Sequence, residues 1–177
     1  MSEVLGRYHV VLLGWVLLLP VAVAVVLLRS RASGSLRYAV CEVAAVYGTL
    51  PWLGMTFTPD AGGARRIQPV PLRDLVDLVG APAGTVAVQV IGNLLVFAAA
   101  GFCLPLRFAA LRSLPRVVLL AALGSVVIET VQYAAGLGRV SSVDDVALNA
   151  IGAGVFALLS RPLWTMPARS APGAGSP

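Results

Sequence analysis

The sequence is short of charge. Only 12% of its 177 residues are Asp, Glu, Lys or Arg, whereas 58% are hydrophobic. A soluble domain is roughly 25% charged and 45–50% apolar, so a chain of this size has too little interior to hide the excess. The composition excludes an ordinary soluble protein. It predicts an all-α integral membrane bundle with no room for a second domain.

Lysine is absent, so all 13 basic residues are arginines, and the net charge is +5. These arginines lie between apolar runs rather than in one basic patch. That arrangement is typical of membrane-topology signals and not of nucleic-acid binding. We therefore expect the lipid bilayer to be a partner of this chain and nucleic acid not to be one.

Histidine and cysteine are scarce as well. The chain has one histidine, His9, and two cysteines, Cys41 and Cys103, which form no Cys-x-x-Cys motif. No phosphate-binding loop, serine-hydrolase or zinc-protease motif is present. We expect no metal site and no cofactor, and we expect both cysteines to be small buried packing residues. Catalytic residues, if there are any, stay unknown at this level.

Long apolar runs dominate the rest of the chain. A membrane-spanning helix needs about 20 mostly apolar residues. The sequence predicts five such spans, at residues 8–28, 38–57, 86–106, 115–135 and 143–163. They form one predicted domain over residues 1–163, followed by a disordered cytoplasmic tail over residues 164–177, which is rich in Pro, Gly and Ser.

Residues 71–80, in the longest loop, predict one further short helix. Leu72, Leu75, Val76 and Val79 follow the i, i+3, i+4, i+7 spacing of an amphipathic helix. The segment is too short and too charged to span, so we expect it to lie in the membrane interface.

The arginines are distributed unequally between the two sides of the predicted bundle. Eight lie in the loops after the first and third spans or in the C-terminal flank: Arg29, Arg31, Arg37, Arg107, Arg112, Arg116, Arg161 and Arg169. Five lie on the other side: Arg7, Arg65, Arg66, Arg73 and Arg139. The positive-inside rule then predicts an external N-terminus and a cytoplasmic C-terminus.

Polar residues concentrate at one depth of the last three predicted spans. On this topology they all fall in the outer third of the membrane, where they predict one polar pocket that three helices build. The predicted pocket residues are Gln89, Asn93, Glu129, Gln132, Arg139, Asp144, Asp145 and Asn149. Charged groups inside membrane segments are costly and usually pair or serve a function. We expect Glu129 to pair with Arg139, Arg65 or Arg66.

Several of the predicted pocket residues also have purely structural interpretations. Asp144 follows Ser141 at Ser-x-x-Asp spacing, which is typical of a helix cap. Gln89, Asn93 and Asn149 are equally compatible with interhelical hydrogen bonds. Gly152 favours a close approach of two helices.

The stretches "IGNLLVFAAAGFCLPL" (91–106) and "SVVIETVQYAAGLGRVSSVDDVALNAIGAGVFALL" (125–159) resemble the VanZ-like membrane protein family. Carried over by position, the family's polar residues fall on Asn93, Glu129, Gln132, Arg139, Asp145 and Asn149. The chain departs from the family at Ser142, where an acid is frequent, and at residues 68–72, where Asn-(Leu/Ile)-x-Pro-Phe is usual. The first departure weakens any three-carboxylate metal site.

The resemblance implies an integral membrane protein, and the family's namesake branch is associated with resistance to the glycopeptide teicoplanin. It favours a non-enzymatic protein of the bacterial inner membrane, whose outward-facing pocket binds an envelope lipid or lipoglycopeptide and influences glycopeptide susceptibility. Two alternatives stay open: a membrane-embedded enzyme that acts on an envelope lipid through Glu129 and Asp145, and a small transporter subunit. The oligomeric state is open too.

Overall fold

The computed structural model describes residues 2–60, 63 and 65–165, without the side chains of residues 2–5, and is 78% helical. The helices are α1 (Ser2–Leu17), α2 (Leu19–Ser33), α3 (Leu36–Thr56), α4 (Arg73–Asp77), α5 (Ala83–Val96), α6 (Ala98–Arg107), α7 (Leu114–Ala135) and α8 (Val143–Ser160). Short 3-10 turns follow at Ala109–Leu111 and Arg161–Leu163. The predicted all-α class is confirmed.

Among the described residues, four helical stretches are long and apolar enough to cross a membrane: Gly6–Ser33, Ala83–Arg107, Leu114–Ala135 and Val143–Leu163. They correspond to the first, third, fourth and fifth predicted spans. The first joins α1 to α2, and the second joins α5 to α6 through a turn at Phe97. The predicted second span forms the continuous helix α3, but Glu42, Gly48 and Pro51 interrupt its apolar character. The count of five spans is therefore not confirmed.

The core is made mainly of small side chains. Helices α3, α6, α7 and α8 contribute Cys41, Ala45, Cys103, Leu106, Val117, Ala121, Ala153 and Ala157. The two cysteines are free and buried, as the sequence predicts. Helix α8 packs directly against the backbone of α5 at Gly152, where an added Cβ would overlap the carbonyl oxygen of Leu94. The predicted close approach at Gly152 is confirmed.

Polar contacts fix which helix ends lie together. At one end of the bundle, Glu42 on α3 accepts hydrogen bonds from Arg29 on α2 and Arg107 on α6. At the other end, Arg7 on α1 pairs with Asp60 at 3.4 Å. The backbone N–H of Asp60 in turn donates to the carbonyl of Leu137 after α7, at 2.8 Å. We call this second end, where α1 and α8 begin and α3 and α7 finish, the site end.

Two short strands connect the loops of the site end. Strand β1 (Arg66–Gln68) pairs in parallel with β2 (Val140–Ser142), so that Arg66 lies beside Val140 and Gln68 beside Ser142. The sequence analysis did not predict them. Three-residue strands leave only a weak alternation in a sequence, and this pair closes across more than seventy residues.

The long loop and the C-terminus both differ in extent from the expectation. Helix α4 exists but is only five residues long, and the predicted apolar face is largely exposed at Leu72, Val76 and Val79. Trp164, the first residue of the predicted tail, is buried, and its indole N–H donates to the Ser160 hydroxyl at 2.9 Å. Residues 166–177, which include Arg169, lie outside the described residues.

Candidate functional site

Asp145 is the centre of the polar contacts at the site end. It lies in the first turn of α8 and is 8% exposed. One of its oxygens, Oδ1, accepts hydrogen bonds from the side-chain amides of Gln89 at 2.7 Å and Asn93 at 2.5 Å. Gln89 and Asn93 stand four residues apart on α5, so both reach the same face. The structure thus brings three predicted pocket residues together.

Asp144 faces a different partner. Its Oδ1 accepts from the backbone N–H of Leu72 at 2.6 Å, and its Oδ2 accepts from those of Asp74 at 3.0 Å and Leu75 at 3.4 Å. These are orphan donors at the start of α4, which a carboxylate satisfies well. Asp144 therefore holds the long loop against α8. Its own N–H donates to the Ser142 hydroxyl, which caps α8.

Glu129, on the last third of α7, is half-buried. Its Oε2 accepts the backbone N–H of Ser142 at 3.2 Å, and its main-chain carbonyl accepts the Ser141 hydroxyl at 3.0 Å. The expected ion pair with Arg139, Arg65 or Arg66 is wrong, because no salt bridge within 4 Å involves Glu129 among the described residues. Arg65 instead lies over the ring of Tyr133, at 4.3 Å from its centroid.

Gln132 and Asn149 form interhelical hydrogen bonds. The Gln132 amide donates to the carbonyl of Thr56 at 2.7 Å and ties the end of α7 to that of α3. The Asn149 amide donates to the Ser125 hydroxyl at 2.7 Å, between α8 and α7. Both side chains are at most 4% exposed. For Asn149 the predicted interhelical bond is confirmed, and neither residue borders the cavities described next.

Arg139 lies in the tight loop between α7 and β2. The loop turns through Gly136 and Gly138, which adopt positive φ values of 65° and 68°. Gly138 also touches Asp60, where a Cβ would overlap the carbonyl oxygen. Arg139 is half-buried, and its guanidinium forms no hydrogen bond or ion pair within the described residues. A cation held without a direct partner beside buried carboxylates is available to a ligand.

A polar cavity of about 550 Å³ opens beside Arg139. Its charged lining residues are Arg7, Arg66, Arg139, Asp60, Asp74, Asp77 and Asp145. Gln89 and Thr85 of α5 and Tyr8 of α1 complete the polar part of the wall. Three guanidinium groups therefore face the same space as four carboxylates.

An apolar cavity of about 330 Å³ lies next to the polar one. Trp52, Met55, Ala87 and Ile91 supply its apolar walls. Four residues border both cavities: Tyr8, Val88, Gln89 and Arg139. The two spaces are thus adjacent, one charged and one apolar.

Several lining residues escaped the sequence analysis. Tyr8 and Trp52 belong to the first two predicted spans, and Arg7 precedes the first. All three are far along the chain from the predicted pocket, and no spacing rule connects them to it. Arg7 and Arg66 were named for membrane topology, and Arg66 also as a partner for Glu129, but neither was predicted to line the pocket. Within the described residues, no group of three or more His, Cys, Asp or Glu side chains is placed to hold a metal ion.

The sequence also matches the model of a known protein family. The family model described as VanZ/LLP1 matches residues 9–165, which is nearly the whole described chain. The chain belongs to the VanZ/LLP1 family. The resemblance seen in the sequence is confirmed, and this VanZ/LLP1 protein has the apolar helices of a membrane protein. No curated protein and no solved structure gives a significant match.

Proposed function

We propose that this VanZ/LLP1 protein binds an amphiphile of the bacterial cell envelope at its site end. Binding there would influence susceptibility to teicoplanin-type glycopeptides. The observation that carries the proposal is the pair of adjacent cavities, one charged and one apolar, that share Tyr8, Val88, Gln89 and Arg139. An amphiphile has the matching division into a charged headgroup and an apolar chain.

The headgroup would lie in the polar cavity. Arg139 offers guanidinium N–H donors that no described protein group uses, and guanidinium binds carboxylate or phosphate oxygens in bidentate geometry. The amides of Gln89 and Asn93 both donate to Oδ1 of Asp145 and so fix its carboxylate in the wall of the polar cavity. A buried, preorganised set of this kind suits recognition of a polar group.

The apolar part would lie along α3 and α5. Trp52, Met55, Ala87 and Ile91 line that cavity, and Ile91 is 53% exposed on the surface of the bundle. Apolar side chains on the outside of a membrane helix face lipid tails. A bound chain would therefore extend from the polar cavity towards the bilayer.

The proposal requires the site end to face outward across the bacterial inner membrane. The distribution of arginines supports this, since the opposite end carries Arg29, Arg31, Arg37, Arg107, Arg112, Arg116 and Arg161 among the described residues. The external face is where an inner-membrane protein meets cell-wall precursors and glycopeptides. The N-terminus would lie outside and the C-terminus in the cytoplasm.

Cysteine labelling tests the orientation. Val79 is 83% exposed at the site end, and Ala110 is exposed at the opposite end, whereas Ser142 is only 3% exposed and unsuitable. In a chain with Cys41→Ala and Cys103→Ala, an impermeant maleimide on intact cells should label V79C and not A110C. The reverse labelling would turn the cavities to the cytoplasm and overturn the glycopeptide part of the proposal.

Gene deletion tests the function. Loss of the protein should change teicoplanin susceptibility, and wild-type protein should restore it, but Arg139→Gln should not. Unchanged susceptibility and envelope composition after deletion would contradict the proposal. No observation favours the enzyme alternative, because Glu129 does not line either cavity that Arg139 borders.

A further inference from the structure

A third cavity lies on the other face of the β1–β2 pair. It has a volume of about 270 Å³, and we call it the Glu129 groove. Its walls come from α7, α8, β1 and β2, and its main lining residues are Ile67, Pro69, Val126, Glu129, Tyr133, Val143 and Val146. The strands separate it from the polar cavity: Arg66 and Val140 border that cavity, whereas Ile67 and Ser141 border the groove.

In the part of the chain that the structure describes, Glu129 is the one acid that lines this groove. Its Oε2 is bound by the N–H of Ser142, and the Ser141 hydroxyl also interacts with the carboxylate, whereas Arg139 acts on it only at longer range, since no salt bridge within 4 Å involves Glu129 among the described residues. Glu42, at the opposite end, differs in this respect, because each of its oxygens binds an arginine. A carboxylate among apolar walls without such a partner is costly, and a cationic donor in the groove would offset that cost.

Arg65 supplies the opposite charge at the edge of the groove. Its guanidinium lies over the ring of Tyr133, and Tyr133 follows Glu129 by four residues on the same face of α7. Arg65 is exposed and forms no ion pair within 4 Å in the part of the chain that the structure describes. The groove thus has an anion in its wall and a cation at its rim.

The apolar walls indicate where a ligand would come from. Val126 and Val143 are 49% and 41% exposed, on helices that are apolar enough to span a membrane. A molecule in the groove would therefore contact the acyl region of the bilayer through these valines. The surroundings favour a membrane lipid over a freely soluble amine or phosphate.

We propose that the Glu129 groove binds a membrane lipid with a zwitterionic phosphoethanolamine headgroup. The primary ammonium would donate to Glu129, and the phosphate would accept from Arg65. This lipid site is separate from the cavities of the proposed function and does not depend on them.

Competitive lipid binding tests the assignment. Purified protein is released by mild detergent from nanodiscs that contain phosphatidylethanolamine, phosphatidylcholine and phosphatidylglycerol with identical chains, and retained lipids are counted by native mass spectrometry. Phosphatidylcholine keeps the phosphate but has no N–H donor. Because only the ethanolamine lipid can form the charge-assisted hydrogen bond to Glu129, we expect it to be retained about tenfold more than the choline lipid.

Three variants distinguish the proposed contact of Glu129 with the ammonium from that of Arg65 with the phosphate. Glu129→Gln should bring the ethanolamine-to-choline ratio close to one. Arg65→Gln should weaken both lipids and leave their ratio unchanged, and it removes an exposed side chain on which no described hydrogen bond depends. Glu42→Gln, the matched change at a carboxylate already bound by two arginines, should change neither quantity.

Either of two results would overturn the assignment. Equal retention of the ethanolamine and choline lipids by the wild-type protein would exclude recognition of the ammonium. A preserved preference in folded Glu129→Gln would exclude Glu129 as its acceptor. If Glu129→Gln does not fold, undiminished binding of both lipids to Arg65→Gln would still overturn the proposal. The proposed function is unaffected by these outcomes, since its test is glycopeptide susceptibility with Arg139→Gln.

Discussion

Asp144 and Asp145 are neighbours in the chain, but their carboxylates hold different parts of the molecule. Asp144 binds three backbone N–H groups at residues 72, 74 and 75, whereas Asp145 binds the side-chain amides of Gln89 and Asn93. Successive residues of a helix point about 100° apart, so one turn of α8 reaches both the long loop and α5. The acid pair organises the site end from two sides.

Asp144→Asn should loosen the long loop without disturbing α5. The amide keeps one acceptor oxygen but places an NH2 donor where the other oxygen stood, so the backbone N–H bonds to that oxygen at the start of α4 are lost. We expect a loss of about 1–3 kcal/mol in stability. Thermal unfolding of the detergent-solubilised protein would measure it, and hydrogen exchange should quicken at residues 72–75.

The matched control is Asp77→Asn. Asp77 is exposed and pairs with Arg73 at 3.4 Å within one turn. Such a surface pair contributes less than about 0.5 kcal/mol. Equal stability of Asp144→Asn and Asp77→Asn would show that the Asp144 contacts do not hold the loop.

Asn93 and Asp145 should be energetically coupled. Their side chains meet at 2.5 Å between α5 and α8, and both are partly or fully buried. A double-mutant cycle with Asn93→Ala and Asp145→Ala should give a coupling of about 0.5–3 kcal/mol. The free energies of unfolding of the two single variants and the double variant measure it. Strict additivity would mean that the two residues act independently.

The sequence predicted the membrane-type helices closely because apolar length is a local signal. The span at 143–163 has the bounds of the observed Val143–Leu163 stretch. The helix periodicity also placed Gln89 and Asn93 on one face. The partners of the Asp144 and Asp145 carboxylates could not be predicted in the same way. Asp144, for example, accepts hydrogen bonds from backbone N–H groups about seventy residues away. Neither spacing nor residue type carries that information, which depends on how the long loop folds back.

Glu129 illustrates the same limit. Arg139 follows Glu129 by ten residues, which favoured an ion pair, but strands β1 and β2 pair beside Glu129 instead. That pairing presents the N–H of Ser142 to Glu129 and leaves Arg65 over Tyr133. A contact made through strands of three residues is decided by tertiary packing and not by local sequence.

Gly152→Ala should weaken the packing of α8 on α5. The new Cβ would overlap the backbone of Leu94, which is not a flexible side chain that can move aside. Overpacking of this kind costs about 1–3 kcal/mol. Gly14→Ala is the control, because no atom lies within 4 Å of its added Cβ in α1. A Gly152→Ala protein as stable as Gly14→Ala, measured by thermal unfolding, would be inconsistent with the close approach.

Substitutions of Arg139 and Gln132 should affect different properties, ligand binding for Arg139 and stability for Gln132. Arg139 forms no hydrogen bond or ion pair in the described structure, so Arg139→Gln should change the free energy of unfolding by less than about 0.5 kcal/mol. It should nevertheless weaken retention of an anionic amphiphile, because the polar cavity loses its half-buried free guanidinium. Ligand-induced shifts in melting temperature would measure the binding.

Gln132→Ala should have the opposite effect. It removes the hydrogen bond to the Thr56 carbonyl at 2.7 Å and leaves that half-buried residue at the end of α3 without this donor, which costs about 1–3 kcal/mol. Gln132 borders neither cavity, so the ligand-induced shift should persist at the lowered melting temperature. If Arg139→Gln instead lost stability while its ligand shift persisted, Arg139 would be a structural residue. The proposed contact between Arg139 and the headgroup would then be excluded.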